Sequence, residues 1–332
     1  KKLPVPTEKN IVGSYRLYKL FHEATFQAAK LEIEQAQQLS HWNGSLWLNV
    51  MKAIHEYKMH VRLACETGMH GIVSGAWLPT DLPELVANIP NGSDIALVPI
   101  LSNLRWVQIV MKKWERYSRL PDAIVLEDPT RAAWHLGTWN LKSFKNPEEI
   151  WKSTLEIAVP EVVAFLKSKE QYNIPVIAAG DIVTRDDVAW ALSLWAQWVQ
   201  MGTRFLATEE SGANDAFKQA IVDATTMDDI ELYNSNAMLP ARGLRSSGVF
   251  HRIDKKMSHV RACVENCLVQ CAYRDGVGMN AEWEIFAQMC ILEELAMSTD
   301  NKSGSKGLMF CGISALRIHS VERASDIIKG LL

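Results

Sequence analysis

Residues 174–181 read IPVIAAGD, and residues 198–203 read WVQMGT. Each run is mostly apolar and ends at a glycine, which is typical of a buried parallel strand followed by a loop. In a (β/α)8 barrel the loops after the seventh and eighth strands usually form a phosphate site. Glycine allows backbone N–H groups to approach an anion closely. The two runs therefore predict a barrel with a phosphorylated ligand at its mouth.

The same alternation of strand and helix extends on both sides of these runs. Short apolar runs precede amphipathic segments, after a first helix over residues 14–40. The predicted strands are 46–51, 71–74, 95–100, 123–126, 174–179 and 198–201, and the predicted helices are 55–67, 82–87, 104–117, 147–169, 185–194 and 213–224. Repeated βα units predict an α/β fold, either a TIM (β/α)8-type barrel or a doubly wound sheet.

The strand count is short of a complete barrel. Six strands are predicted and a barrel needs eight. Ile11-Val12 is a candidate for one more, and the first strand is expected to be missing or replaced. We predict a barrel domain over residues 1–230. A C-terminal extension over 231–332 is expected to carry a cysteine cluster and closing helices at 281–297 and 321–331.

Composition excludes several classes of protein. The 332 residues carry a formal charge of -3, which gives no signal for a nucleic-acid or anionic-membrane partner. No apolar run approaches the roughly 20 residues of a membrane span. The opening residues KKLPVP do not have the pattern of a signal peptide. Clustered cysteines predict an intracellular, reducing compartment, without distinguishing cytoplasm from an organelle such as the mitochondrion.

Two groups of residues are candidates for chemistry. His135 follows the predicted strand 123–126, on the catalytic face of a barrel, where a histidine can exchange protons near neutral pH. A hydrogen-bonded loop histidine is the alternative. The second group offers four thiolates for an iron–sulfur cluster or, less well matched in spacing, for zinc; unligated thiols are the alternative. Its members are Cys263, Cys267, Cys271 and Cys290.

These segments together resemble the nitronate monooxygenase (2-nitropropane dioxygenase) family. The resemblance runs from about residue 22 to 331, and it is carried by LPTDLPE at 78–84, ALVPI at 96–100, RLPDAIV at 119–125 and residues 174–210. The family includes FMN-dependent enoyl-acyl-carrier-protein reductases. It also includes a branch of acyl-carrier-protein dehydrogenase/isomerases with a 4Fe–4S cluster, which the cysteine cluster resembles.

The resemblance implies a TIM barrel with FMN across its C-terminal mouth. The turns after the last two predicted strands would hold the phosphate, and His135 matches the family's catalytic histidine. Asn49 and Glu127 match strand ends that face the flavin. The residues expected to bind the cofactor are Asn49, Glu127, Gly180, Asp181, Gln200, Gly202 and Thr203, and those expected to bind the cluster are the four cysteines.

The chain departs from the family pattern at the expected cofactor site. The family's glycine-rich opening loop is absent, and its second glycine after strand seven is Asp181, whose carboxylate would repel a phosphate. Several family glycines are tryptophan here, and an indole buries on the order of 200 Å². They stand at Trp47, Trp77, Trp134, Trp195 and Trp198. These indoles either refill the mouth of the barrel or point outward onto helices.

Two functions follow from these departures. In the first, the chain is a pseudoenzyme that has lost FMN and serves as a structural or interaction subunit with protein partners in a larger assembly. In the second, it is an active FMN-dependent oxidoreductase on a nitronate or an acyl thioester, with His135 as the acid/base.

Overall fold

The computed structural model describes residues 8–40, 44–133, 144, 146–169, 172–254, 263, 265–275 and 290–332. The first part alternates helices and strands: α1 Glu8–Ser40, β1 Trp47–Met51, α2 Tyr57–Glu66, β2 Gly71–Gly75, α3 Leu82–Ala87, β3 Ala96–Leu101, α4 Leu104–Trp114, β4 Ile124–Glu127, α5 Pro147–Ile150, α6 Leu155–Lys167, β5 Val176–Ala179, α7 Arg185–Ser193 and β6 Trp198–Gln200. This confirms the α/β class and the six predicted strands.

Short elements follow β6. They are α8 Thr203–Leu206, α9 Asp215–Asp223, β7 Ile230–Asn234, β8 Pro240–Leu244, α10 Gly248–Asp254, α11 Ala272–Asp275, α12 Ile291–Met297 and α13 Ala324–Leu331. A 3-10 helix at Ile313–Arg317 precedes the last α-helix. Among the described residues no helix is both long and apolar enough to cross a membrane.

Strands β1 to β6 form one parallel sheet in chain order, and β7 and β8 form an antiparallel pair. The sheet curls so that its two faces bury different clusters. Val73, Val98 and Val125 pack together on the inner face. The outer face packs against the helices in a larger cluster around Ile72, Leu97 and other aliphatic side chains. Because strand side chains alternate between faces, the inner strands β2 to β5 are mostly buried on both sides, whereas the edge strands β1 and β6 are partly exposed.

One sequence prediction was wrong at this level. Ile11-Val12 lies inside α1 and not in a strand, because the helical pattern of residues 14–40 continues backward to Glu8. The segment around Arg242 and Gly243 has a turn-like composition but lies in β8, where both residues pair with β7. Two residues of a β-branched type are too few to specify a strand, and a turn-like composition yields to tertiary pairing.

Candidate functional site

The carboxyl ends of the strands gather some of the predicted site residues. Glu127, the last residue of β4, pairs in register with Ala179, and Ala179 pairs with Gln200 at the end of β6. Glu127 and Gln200 therefore share one row at one end of the sheet. Asn49 lies in the middle of β1, in a row with Val73, and its side chain is exposed. The register brings Glu127 and Gln200 together but places Asn49 in a different row.

Glu127 is the most perturbed carboxyl at this end of the sheet. Protein surrounds it closely enough that burial, with Asp128 as a second cause, raises its pKa to about 8. The Arg242 guanidinium opposes this shift. Burial also raises the pKa of Asp128, whose side chain is fully buried. Glu127 is thus able to carry a proton at neutral pH, as a general acid or base must.

Arg242 fixes the loop that follows β4. Its guanidinium is buried and donates to the backbone carbonyls of Ala132 and Thr130, the latter at 3.0 Å. Its backbone N–H donates to the carbonyl of Ala133 at 2.7 Å. Burial lowers the pKa of Arg242 to about 10, so it remains a cation at neutral pH. The side chain therefore ties β8 to the loop whose continuation contains His135, a residue that lies outside the described part of the chain.

The turn after β5 has a backbone shape that usually favours glycine. Gly180 has φ of 121° and Asp181 has φ of 55°, both in the left-handed region. A Cβ at Gly180 would lie 3.1 Å from the Cβ of Asp128, so this glycine faces protein and leaves no open space. The non-glycine residue at a positive φ carries strain of order 1 kcal/mol or more. Gly180 suits this backbone shape, and Asp181 is held in it at a cost.

An arginine from the C-terminal part of the chain contacts the turn after β5. Arg317 lies at the end of the 3-10 helix, and its guanidinium donates to the backbone oxygen of Asp181 at 3.1 Å and lies 3.3 Å from Oδ1 of the same residue. Its other nitrogen donates to both carboxylate oxygens of Asp187, at 2.8 and 2.7 Å. Arg317 and Asp187 thus form a charge-assisted pair in which one nitrogen is shared between both carboxylate oxygens.

Asp187 is positioned by the start of α7. It is the third residue of that helix and forms a capping box with Thr184, accepting from the Thr184 backbone N–H at 2.7 Å. Burial raises the pKa of Asp187, but hydrogen bonds from Arg317, Thr184 and Val183 outweigh it and hold the pKa below its ordinary value. For Asp181 burial dominates and the pKa is raised, although Arg317 opposes the shift. Sequence reasoning missed Arg317 and Asp187, because a lone arginine 136 residues from Asp181 gives no local signal.

A segment from the C-terminal part of the chain covers the turn after β6. Thr203 is buried, and its Oγ1 accepts from the backbone N–H of Gly312 at 2.9 Å. The backbone N–H of Ile313 donates to the carbonyl of Arg131 at 3.0 Å. Gly202 itself has open space at its Cβ position. The segment at 312–313 therefore bridges the turn after β6 and the loop after β4.

These residues do not fit a flavin phosphate between the two turns. Oδ1 of Asp181 is buried and faces the Arg317 guanidinium at 3.3 Å as an ion pair, without the geometry of a hydrogen bond. A carboxylate oxygen can only accept, and a phosphate oxygen offers it nothing to accept. The Arg317 guanidinium is committed to two carboxylates. A phosphate here would meet the like charge of Asp181 at low dielectric, next to a cation that is already paired.

The tryptophans that stand in place of family glycines lie in different environments. Trp77, with φ of 107°, follows β2 and packs in the cluster that contains Tyr233 and Phe250. Trp47 lies against Gly71, where a Cβ would come within 2.2 Å of the indole. Trp195 and Trp198 are 61% and 57% exposed, at the amino end of β6 and away from the phosphate turns. Trp134 lies outside the described residues.

The four clustered cysteines are free of disulfide bonds. Burial, followed by the neighbouring thiols of the same cluster, raises the pKa of Cys267 to about 12. Burial also raises the pKa of Cys271 and Cys290. Among the residues that the structure describes, no group of three or more His, Cys, Asp or Glu side chains is placed to hold a metal ion. The cysteines approach one another without forming a ligand set.

A parallel sheet with helices outside it, strand ends that gather polar residues and glycine turns after the last two strands define the class of TIM-barrel-related α/β proteins. Solved structures agree with this fold. FabK of Thermotoga maritima has a TM-score of 0.65 at 22% identity, over 91% of this chain and 78% of that one. A nitroalkane oxidase of Streptomyces ansochromogenes has a TM-score of 0.54 at 17% identity, over 92% and 75%.

The chain belongs to the nitronate monooxygenase family, whose model matches residues 19–332. A probable nitronate monooxygenase of Staphylococcus saprophyticus is 32% identical over 127 residues, which are 38% of this chain and 34% of the relative. One of Bacillus subtilis is 38% identical over 73 residues, 22% of this chain and 21% of the relative. The chain thus matches about a third or less of the length of these relatives.

Proposed function

We propose that this protein is a non-catalytic member of the nitronate monooxygenase family that serves as a structural or interaction subunit with protein partners in a larger assembly. One observation carries the proposal: Arg317 crosses the turn after β5 and binds Asp181 and Asp187. A working cradle leaves its cations and backbone donors free for the phosphate. Here the chain's own carboxylates take that place.

The surrounding contacts support the same interpretation. The Thr203 hydroxyl accepts from the backbone N–H of Gly312, and Arg242 donates to backbone carbonyls of the loop after β4. Each contact joins a C-terminal segment to the end of the sheet where a flavin would bind. Such contacts stabilise the fold without a ligand, because buried polar groups find partners within the chain.

The test combines flavin analysis with turnover. The purified protein is denatured, released flavin is measured by fluorescence, and the native protein is assayed with a nitronate under oxygen and with an enoyl thioester plus NADH or NADPH. We expect flavin far below stoichiometry and no turnover in either assay after incubation with FMN. A yellow protein with stoichiometric flavin would overturn the proposal, whichever substrate it used.

The second candidate is an active FMN-dependent oxidoreductase on a nitronate or an acyl thioester. The observation that favours it is Glu127, a strand-end carboxyl whose pKa of about 8 allows it to hold or release a proton at neutral pH. Together with His135 as the acid/base, it would supply proton transfer beside a flavin. If turnover is found, His135→Ala should reduce it by about 100-fold or more; unchanged turnover would reject that role.

A further inference from the structure

Helix α1 presents an apolar stripe to solvent. Leu17, Leu20 and Leu31 are 56%, 53% and 63% exposed, and Ala24 and Ala28 between them are exposed as well. The opposite side of the same helix packs on the protein through Phe26, Ala29 and Ile33. The helix therefore uses one face for the fold and leaves a second apolar face without cover from the described residues.

The spacing of the stripe is the same in both directions along the helix. Ala24 is its centre, Leu20 and Ala28 are four residues away on either side, and Leu17 and Leu31 are seven residues away. At 3.6 residues per turn, steps of four and seven residues rotate by about 40° and 20° from the central position. All five side chains thus lie within one narrow strip that spans about four turns.

A stripe of this symmetry complements a second copy of itself. In a two-fold contact the same patch serves both subunits, so a residue at position n meets the residue at the mirrored position. With two antiparallel helices centred on Ala24, Leu17 comes level with Leu31 of the other copy and Leu20 with Ala28. The small side chain of Ala24 allows the two helix axes to approach closely at the crossing point.

The charges beside the stripe favour the antiparallel direction. Arg16 is exposed at one end of the stripe, and Glu32 and Glu34 flank its other end. Antiparallel pairing brings Arg16 close to Glu34 of the second copy, because both lie on the same edge of the stripe, whereas Glu32 lies on the opposite edge. Parallel pairing would place the arginines together and the glutamates together, which costs free energy. The charge pattern therefore selects one orientation of the pair.

We propose that α1 pairs with α1 of a second copy of this chain, antiparallel and centred on Ala24. Three leucines and two alanines on one helix cover less area than the roughly 1,200–2,000 Å² of a stable specific interface. The expected complex is a reversible dimer that dissociates on dilution. The inference rests on the helix alone and not on whether the protein binds flavin.

Sedimentation velocity over a wide range of protein concentration tests the pairing. We expect a monomer–dimer equilibrium that Leu17→Glu and Leu31→Glu each weaken by about tenfold or more, because a carboxylate would be buried against leucine. Leu39→Glu is the matched control, since Leu39 is 70% exposed on the same helix but has no mirrored partner in the stripe. Circular dichroism checks that each variant is folded.

A charge exchange and a cross-link test the orientation. Arg16→Glu should weaken the dimer, and adding Glu34→Arg should restore it, whereas adding Glu32→Arg should not. Ala24→Cys, incubated with oxidised glutathione, should form a disulfide to its own counterpart, identified by peptide mass, whereas Leu39→Cys should not. A monomer at every concentration, or an equal effect of Leu39→Glu and Leu17→Glu, would overturn the proposal.

Discussion

Glu127 and Arg317 show at the scale of single residues how this chain differs from an open ligand site. Glu127 is a carboxyl kept protonated by its surroundings, with a pKa of about 8. Arg317 is a cation already matched by two carboxylates. Glu127 holds a proton at the end of the sheet. The positive charge of Arg317, which an anionic ligand would need, is already neutralised by the two carboxylates. Both effects are set by burial and by neighbours, so the residue types alone do not specify them.

Glu127 should make the protein less stable as the pH rises from about 5 to 8. Its pKa is higher in the folded state than the ordinary value of 4.5. Folding therefore binds a proton, and the stabilisation present at low pH is lost as pH rises toward the folded pKa. Glu127→Gln removes the ionisation and should raise the free energy of unfolding at pH 8 by about 1–3 kcal/mol, with little change at pH 5.

Urea unfolding of both proteins at the two pH values measures this difference. Glu148→Gln is a suitable control, because Glu148 is exposed in α5. An equal effect of Glu127→Gln at both pH values would show that the carboxyl is not protonated in the folded protein.

Many helices and strands could be predicted from the local hydrophobic pattern of the sequence. The strand runs at 174–179 and 198–201 and the helix at 82–87 needed only hydrophobic spacing and glycine punctuation, and the structure has them there. What sequence could not supply is the pairing of distant groups. Arg317 reaches Asp187 across 130 residues, and Arg242 reaches Thr130 across 112. Such long-range contacts determine which residues fill the site. The two glycine turns could therefore be predicted from sequence, but the binding of Arg317 at the turn after β5 could not.

The contact between β1 and β2 offers a prediction at the scale of elements. A Cβ at Gly71 would come within 2.2 Å of the Trp47 ring, so Gly71→Ala forces the indole to move. Trp47 is 40% exposed and can shift toward solvent. We therefore expect a loss of about 1–2 kcal/mol of stability and no collapse of the sheet.

The matched control is Gly212→Ala, where a Cβ meets no atom within 4 Å and no cost is expected. In the Trp47→Val background the effect of Gly71→Ala should fall by more than half, as a double-mutant cycle in urea would measure. Equal effects in both backgrounds would mean that Trp47 does not occupy this space.

At the scale of the whole molecule, the C-terminal part closes one end of the sheet. The predicted division at residue 230 remains a prediction, and several bonds cross it: Gly312 to Thr203, Arg317 to Asp187 and Arg242 to Thr130. The end of the sheet that a ligand would enter is therefore held together by its own chain.

The cysteine cluster gives a second prediction at this scale. If Cys263, Cys267, Cys271 and Cys290 bind a 4Fe–4S cluster, protein purified without oxygen should contain close to four irons per chain and lose them on replacement of Cys267 by Ser. Among the described residues no group of three or more ligand side chains is placed to hold a metal ion, and this arrangement predicts instead that metal analysis finds neither iron nor zinc. Cys65→Ser is the control, since Cys65 is buried apart from the cluster.

Fluorescence titration of FMN tests the central claim most directly, because free flavin loses its emission when a protein binds it. With wild-type protein we expect no saturable quenching, since Asp181 and Arg317 occupy the turn that would hold the phosphate. Asp181→Gly, which suits the positive φ and removes the carboxylate, should bind FMN at least about tenfold more tightly. Saturable, stoichiometric quenching by the wild type, with affinity unchanged in Asp181→Gly, would contradict the account.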